Sequence, residues 1–326
     1  MRIAQNSVIS LVVVLLMNAA NAAQLPGPLV DTKWLAKHSN DVLVLDVRSD
    51  VKSFTKKPPP VKGDKKKIKK KRIKVFGHIP GAILVNYKKV RAKRTINGKV
   101  VDKMLPEKKD FEKLMQQSGV NNDSAIVIVT KGKSNLDMTM GTRVYWQLKY
   151  FGHDNVALLN GGTAQWIADK RPVSYDPSKA TTGKWQARTE RKDMLATSED
   201  VAKAVKNKSA LLVDNRSTGQ YLGVWKKSYV YAKGHIPGAK SFPNELMTEG
   251  SAPAKFLPID QLRQLSKQLK VDTKGSAITY CNSGHLASGG WFIMSELFGN
   301  KNVKLYDGSM HEWTLEKRPV TTLKME

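Results

Sequence analysis

The chain of 326 residues contains the same four sequence blocks twice, in the same order. They are an apolar run ending in Asp-x-Arg-Ser, the hexapeptide Gly-His-Ile-Pro-Gly-Ala, a Ser-Ala-Ile segment, and a Gly…Trp…Lys-Arg-Pro-Val segment. The blocks begin at Val42, Gly77, Ser124 and Asn160 in the first half, and at Ala210, Gly234, Ser276 and Asp307 in the second. Because solenoid repeats have periods of only about 20 to 50 residues, this pattern predicts two duplicated domains.

Within each half, short apolar runs alternate with helical stretches, for example a strand over 125–129 and a helix over 143–151. Such alternation predicts an α/β fold in which each half holds a parallel sheet flanked by helices on both faces. We expect an N-terminal domain over 23–173 and a C-terminal domain over 186–326. The linker between them is predicted over 174–185, a segment rich in Pro, Ser, Thr and Gly.

Residues 1–22 have the pattern of a cleavable secretory signal peptide. Met1 and Arg2 give a basic start, the run 8–17 is apolar, and an Ala-x-Ala site predicts cleavage after Ala22. The apolar run is too short to span a bilayer. We therefore expect a periplasmic or secreted protein without stable membrane insertion.

The only cysteine, Cys281, follows the apolar run 277–280 and precedes small and polar residues that lead into a helix-like run over 291–298. At a strand-to-helix junction the first helical N–H groups lack partners inside the helix, so they can stabilise a thiolate or a bound anion. Gly284 would let several N–H groups converge on the sulfur. A lone cysteine is more often a small buried apolar residue, so this interpretation depends on context.

Charge alone does not select a partner. Fifty-five Lys and Arg against 28 Asp and Glu give a formal charge of +27, which attracts nucleic acid, acidic lipid and small anions alike. The sequence has no zinc-finger spacing, RNA-binding aromatic signature or DNA-reading helix, so no nucleic-acid partner and no metal site are expected. The lysine-rich segment 56–74, which is longer than its counterpart in the second half, is interpreted as a solvated loop rather than a binding arm.

The pattern Cys-x-x-Gly-x-x-Ala from Cys281, followed by Tyr306-Asp307-Gly308-Ser309 and Trp313, resembles the active-site loop and C-terminal signature of rhodanese-type sulfurtransferases. The resemblance covers nearly the whole chain after residue 22 and implies two tandem rhodanese-like domains. In that family the C-terminal domain is typically active and its N-terminal partner inactive. Here Thr130 aligns with Cys281, so the N-terminal half lacks the sulfur carrier.

The resemblance also implies the chemistry. Cys281 would take sulfur from a small anionic donor, with thiosulfate favoured, and form a persulfide. Cyanide or a thiol acceptor would remove that sulfur in a second step, with no metal or organic cofactor. We expect the protein to be a monomer.

Several substrate-binding residues follow from the resemblance. Arg216 is the expected anion clamp, and Gln220 stands where relatives have a second basic residue. Ser283 resembles the mercaptopyruvate-specific branch, but the Asp and His that this branch takes from its N-terminal domain fall on Lys88 and Lys103, which favours an inorganic anion. The other predicted residues of the substrate-binding loop are Asn282, Gly284, His285 and Leu286.

Three of the six histidines have an interpretation. His285 is interpreted either as a group that binds the anion or tunes the thiol, since imidazole changes charge near neutral pH, or as a solvent-facing loop residue. His78 and His235 lie in the repeated turns and are expected to be structural, and Trp166 and Trp313 are expected to be packing residues.

Two other functions stay open at this point. One is a mercaptopyruvate sulfurtransferase, and the other is a non-enzymatic persulfide carrier or sensor, which the absence of a basic residue at Gln220 favours. A phosphatase of the same fold is discounted, because its loop needs an arginine to clamp phosphate and none occurs between Cys281 and Glu296.

Overall fold

The computed structural model describes residues 24–59 and 75–323. The predicted signal peptide and residues 60–74 of the lysine-rich segment lie outside the described residues. In the first half the elements are β1 (Leu29–Val30), α1 (Thr32–Lys37), β2 (Leu43–Arg48), β3 (Ile83–Asn86), β4 (Ala92–Ile96), β5 (Lys99–Met104), α2 (Lys108–Gln117), β6 (Ile126–Val129), α3 (Asn135–Tyr150), β7 (Val156–Leu159) and α4 (Gly162–Ala168). In the second half they are β8 (Leu195–Ala196), α5 (Ser198–Asn207), β9 (Leu211–Asp214), α6 (Thr218–Tyr221), β10 (Lys240–Ser241), α7 (Ile259–Gln268), β11 (Ala277–Tyr280), α8 (His285–Trp291), β12 (Val303–Tyr306) and α9 (Ser309–Leu315).

Each half is built on a five-stranded parallel sheet, with the strand orders β1-β7-β6-β2-β3 and β10-β9-β11-β12-β8. Every residue of the central strands β6 and β11 is buried, as expected of parallel strands that helices cover on both faces. The α/β fold with two tandem domains is therefore confirmed. Within the second sheet Tyr280 is in register with Asp214, which brings the carboxyl ends of β11 and β9 together.

The first half also contains an antiparallel hairpin of β4 and β5 that the sequence analysis did not predict. Its turn is Asn97-Gly98, with φ values of 50° and 74°. Positive φ at both residues suits a tight hairpin, so Asn-Gly was the local signal for this element. The hairpin carries Lys103 and leads to Leu105, both of which reach the second half.

Two helices begin earlier than predicted. The helix α3 starts at Asn135 instead of 143, because the hydroxyl of Ser134 accepts the N–H of Asp137 (3.4 Å) and caps the first turn. In the second half, α8 starts at His285 instead of 291 and continues into a π-helical turn over Phe292–Leu297. The loop after Cys281 is consequently short.

The two halves pack against each other through α3 and α8 and share one hydrophobic core cluster. The ring of Tyr145 meets Phe292 edge-on at 5.0 Å, and its hydroxyl donates to Glu296 (2.7 Å). Part of the predicted linker lies on the N-terminal half, since the N–H of Trp185 donates to the carbonyl of Val120 (3.0 Å). The exact domain boundaries stay a prediction.

The repeated turns are structural in both halves. The Nδ1 atom of His78 donates to the carbonyl of Phe54 (2.9 Å), and that of His235 donates to the carbonyl of Tyr221 (2.8 Å). Trp166 and Trp313 are buried and donate to carbonyls six residues further on. Among the described residues, no helix has the length and apolar character needed to cross a membrane.

Candidate active site at the end of strand β11

Cys281 lies at the carboxyl end of β11 with 1% of its surface exposed. The hydroxyl of Ser309 fixes its loop, because it accepts the N–H groups of Cys281 and Gly284 (both 3.1 Å) and donates to the carbonyl of Tyr306 (2.7 Å). Ser309 adopts φ of 52°, the left-handed region that a serine rarely occupies. A strained serine with three hydrogen bonds therefore anchors the cysteine loop.

This anchoring uses two of the loop N–H groups that were expected to converge on the sulfur. The N–H groups of Cys281 and Gly284 point instead to Ser309. Within the described residues, the N–H groups of Asn282 and Ser283 have no acceptor. These two remain available to stabilise an anionic sulfur.

Arg216 is fully buried in a bonded pair with the carboxylate of Asp214 (2.6 Å) and also donates to the carbonyl of Gly234 (2.8 Å). In the half without a cysteine, Arg48 makes the corresponding bonds with Asp46 and Gly77. Because the arrangement is present in both halves, we assign Arg216 a structural role. The Nη1 atom of Arg216 has no hydrogen-bond partner among the described residues, so the role of an anion clamp stays a prediction.

Gln220 reaches the cysteine loop without bringing a charge. Its side-chain amide exchanges two long hydrogen bonds with the side chain of Asn282 (3.4 Å each). Both residues are buried. This pair of side chains orients the cysteine loop, and Gln220 occupies the position where relatives have a second basic residue.

Ser283 and Leu286 differ in what they contact. The Ser283 side chain lies near the hydroxyl of Tyr229, where it lowers the pKa of that phenol against the larger effect of burial, which raises it. Leu286 is part of the shared hydrophobic core. The structure thus gives Leu286 a packing role, and its contact with a substrate stays a prediction.

Gly284 lies against an ion pair that joins the two halves. A guanidinium nitrogen of Arg143, on α3, donates to the Gly284 carbonyl (3.3 Å) and to the carboxylate of Asp307. That carboxylate also accepts the N–H of Leu105. A Cβ at position 284 would lie 2.4 Å from Asp307 and 2.5 Å from Arg143, so only glycine fits here.

His285 is half-buried at the interface of the two halves, and its contact with a bound anion or the thiol stays a prediction. Its Nε2 lies 3.0 Å from the hydroxyl of Thr139 and 3.2 Å from the carbonyl of Leu136, both in the N-terminal half. Burial, with smaller contributions from Arg91 and Arg143, lowers the pKa of His285 to about 3. The imidazole is neutral at physiological pH and joins the two halves.

The two lysines predicted at the cleft are placed differently. Lys88 is exposed, and its backbone N–H donates to the side-chain oxygen of Asn86 (3.0 Å). The ammonium of Lys103 lies 3.5 Å from the ring centroid of Tyr229, whose hydroxyl lies near Ser283. Burial, and further the charges of Arg91 and Lys227, lower the pKa of Lys103.

Five residues near the cysteine loop received no role in the sequence analysis: Tyr87, Arg91, Arg143, Tyr229 and Ser309. Only Ser309 had a local signal, since it follows Asp307-Gly308 where the first half has Gly162 after Asn160-Gly161. The others reach the loop through the fold. Within the described residues, no group of three or more His, Cys, Asp or Glu side chains could hold a metal ion.

Comparisons with known proteins agree with this geometry. The sequence matches the Rhodanese-like domain family over residues 31–169 and again over 197–316. It is 30% identical to the sulfur carrier protein TtuD of Thermus thermophilus over 88% of this chain and 94% of that protein. It is 31% identical to the thiosulfate sulfurtransferase of Gallus gallus over 76% of this chain and 83% of that protein. Among solved structures it is similar to SseA from Escherichia coli, described as a 3-mercaptopyruvate sulfotransferase, with a TM-score of 0.70 and 25% identity over 87% of this chain and 98% of that chain.

Proposed function

Because this chain belongs to the rhodanese-like domain family and is a sulfurtransferase, we propose that it takes sulfur from thiosulfate onto Cys281 and passes it to cyanide or a thiol. The observation that carries the proposal is the cysteine loop itself. Cys281 sits at the carboxyl end of a central strand, and the neighbouring N–H groups of Asn282 and Ser283 have no acceptor in the described chain.

The reaction has two steps. The Cys281 thiolate attacks the outer sulfur of thiosulfate, a sulfur–sulfur bond forms, and the old bond breaks with its electron pair leaving on sulfite. The product is a cysteine persulfide anion, which the two free N–H groups stabilise. Cyanide then attacks the outer persulfide sulfur, thiocyanate leaves and the Cys281 thiolate is restored.

The surrounding charges support an inorganic donor over mercaptopyruvate. The mercaptopyruvate branch would need an Asp and a His at positions that hold Lys88 and Lys103. Moreover, the ammonium of Lys103 lies over the ring of Tyr229, and the Tyr229 hydroxyl lies near Ser283. A cation at that place favours an anion of high charge.

Intact mass measurement tests the covalent step. The reduced protein should gain about 32 Da, one sulfur atom, after incubation with thiosulfate, and cyanide should remove that mass. The matched control is Cys281→Ser, which should gain nothing. A folded, reduced protein that gains no mass with thiosulfate but does so with mercaptopyruvate would assign the donor to the second class.

A second function, persulfide carrier, has its own support. The chain is similar to a protein named as a sulfur carrier. In addition, Gln220 occupies the position where relatives have a second basic residue that binds the donor, and it is hydrogen-bonded to Asn282. A carrier would accept persulfide sulfur from a partner and turn over thiosulfate slowly. Steady thiocyanate formation at rates of about 1 per second or more, typical of enzymes, would reject the carrier alternative.

We also propose that residues 1–22 direct export and that the mature protein is a periplasmic or secreted monomer. The pattern of the N-terminal sequence supports export. Mass analysis of the N-terminal peptide from fractionated cells should show a chain starting at Ala23, and an intact Met1 in the cytosol would reject export. Light scattering of the purified protein should give the mass of one chain.

A further inference from the structure

The catalytic half offers few cations for binding an anionic donor. A thiolate and thiosulfate are both anions, so their approach needs positive charge nearby. Arg216 is bonded to Asp214 and keeps one unpaired nitrogen, Nη1, and position 220 is a glutamine. Further positive charge near Cys281 comes from the N-terminal half.

Arg91 is such a cation. It follows the 3-10 turn Tyr87–Val90, and its guanidinium lies 4.4 Å from the ring centroid of Tyr87. The Tyr87 ring lies 5.1 Å from the ring of His285, the first residue of α8 after the cysteine loop. Among the described residues no hydrogen bond or ion pair neutralises Arg91. Arg91 also acts on Tyr229, His285 and Lys103, which surround the loop.

Two buried side chains beside Arg91 hold unused hydrogen-bond donors. Tyr87 is 2% exposed and Arg143 is fully buried. The hydroxyl of Tyr87 and the Nε and Nη2 atoms of Arg143 have no partner among the described residues. Burial raises the pKa of Tyr87 to about 12, so its phenol keeps its proton and can donate. Unpaired buried donors are costly, so a polar occupant is expected to accept from them.

We propose that Tyr87, Arg91 and Arg143 of the N-terminal half bind the oxygens of the sulfonate-like end of the donor, while its outer sulfur meets Cys281. The half without a cysteine is then the donor-recognition domain. The inference rests on the proposed function, because it assigns the binding residues for the same anionic donor. Three oxygens with delocalised charge match a set of N–H and O–H donors. The two carboxylates nearby are already paired, Asp307 with Arg143 and Asp102 with Lys103 (3.8 Å).

The test is single-turnover loading of Cys281, followed by quenching and intact mass, as a function of thiosulfate concentration. Arg91→Gln should raise the half-saturating concentration by about tenfold or more, because a charge-assisted contact is lost. Tyr87→Phe keeps the ring and should raise it by about three- to tenfold through loss of one hydrogen bond. Lys89→Gln is the matched control, since it removes one positive charge from an exposed residue of the same turn and should change the value by less than about twofold.

A second measurement separates donor binding from a general effect on the thiol. Cyanide discharge of the preloaded persulfide should be slowed much less by Arg91→Gln than loading from thiosulfate, because cyanide carries one charge instead of two and has no sulfonate oxygens. Loading from benzenethiosulfonate, which has the same sulfur–sulfur bond but one charge fewer, should be impaired less than loading from thiosulfate. Unchanged circular dichroism and unfolding midpoints establish that each variant is folded.

The outcomes are distinct. If the unmodified protein never loads from thiosulfate, the proposed function fails. If it loads normally and Arg91→Gln and Tyr87→Phe load with the same concentration dependence, the inference alone is wrong, and the buried donors bind only water. Equal slowing of loading and of cyanide discharge would also overturn it, since Arg91 would then act on Cys281 and not on the donor.

Discussion

The loops after β6 and β11 have the same backbone scaffold and different chemistry. In the catalytic half the N–H groups of Met310 and His311 donate to the carbonyls of Cys281 and Asn282 (3.0 and 3.1 Å). In the other half those of Thr163 and Ala164 donate to the carbonyls of Thr130 and Lys131 (2.8 and 3.0 Å). The same backbone hydrogen bonds therefore connect the loop after β6 to helix α4 and the loop after β11 to helix α9.

The difference lies in the side chains that the frame carries. Gly162 and Ser309 occupy matching positions with nearly equal φ values of 56° and 52°. Glycine adopts this conformation without strain, whereas serine does so at a cost of about 1–2 kcal/mol. The Ser309 hydroxyl offsets that cost by holding the N–H groups of Cys281 and Gly284. The active loop thus differs from the inactive one by the thiol of Cys281 and by the hydroxyl of Ser309, a residue whose backbone is strained.

The largest effect is expected from replacing Cys281, which follows β11, and from placing a thiol instead at Thr130, which follows β6. Cys281→Ser should lower thiocyanate formation by at least about a thousandfold, because the nucleophile is removed. Adding Thr130→Cys to that variant should not restore activity, since Gly162 provides no hydroxyl to organise the loop. Recovery of activity in the double variant would show that the frame alone suffices and would break the comparison.

A large stability difference is expected between Asp307→Ala and Asn160→Ala, which alter matching residues at the interface of the halves. Asp307→Ala leaves Arg143 buried without its partner and should cost about 3–5 kcal/mol. Asn160→Ala removes one hydrogen bond, to the N–H of Phe256 (2.8 Å), and should cost about 1 kcal/mol. Urea unfolding measures the loss of stability in each variant. Equal losses in the free energy of unfolding would mean that the ion pair of Arg143 with Asp307 stabilises the interface no more than the single hydrogen bond of Asn160 does.

Substitution of Ser309 separates the hydroxyl from the backbone strain. Ser309→Gly and Ser309→Ala should both lower sulfur transfer by up to about a hundredfold, because the loop is no longer held in place. The free energy of unfolding of Ser309→Ala, measured with denaturant, should be about 1 kcal/mol lower than that of Ser309→Gly, since alanine keeps the strain of the left-handed backbone. Equal stability of the two variants would contradict a strained backbone at this position.

The smallest effect concerns pH and His285, whose counterpart at the start of α3 is Asn135. Its pKa is about 3 in the folded protein, below the ordinary value of 6.5, so the unfolded chain binds the proton first. Stability is therefore full above about pH 6.5 and falls as the pH drops toward 3, by at most about 1.4 kcal/mol per pH unit.

Replacing this residue by its counterpart tests that assignment. His285→Asn should lose less stability between pH 7 and pH 5 than the unmodified protein, as measured by urea unfolding at both pH values. Part of the dependence should persist, because burial also lowers the pKa of His153 and His311. A variant with the full pH dependence would show that His285 titrates in its ordinary range.

Much of the fold could be predicted because it depends on local patterns. The burial of β6 and β11 follows from runs of apolar residues, and the duplication follows from blocks such as Gly77-His78-Ile79-Pro80-Gly81-Ala82. The starts of α3 and α8 were less accurate, since Ser134 and Gly284 end loops whose length depends on packing. The Asn97-Gly98 hairpin had a local signal that was not used.

The sequence by itself determined the two-domain plan, the position of Cys281 and the lack of a thiol in the first half, because each is a matter of residue order and identity. Only the tertiary structure decided what surrounds that thiol. Ser309 meets Cys281 through strand pairing, whereas Tyr87, Arg91 and Arg143 approach the loop across the interface of the halves. Similarly, the burial of Arg216 with Asp214 and the contacts of His285 with Thr139 became visible only there. The physical reason is that hydrogen bonding and desolvation depend on neighbours distant in sequence, and no local pattern specifies them.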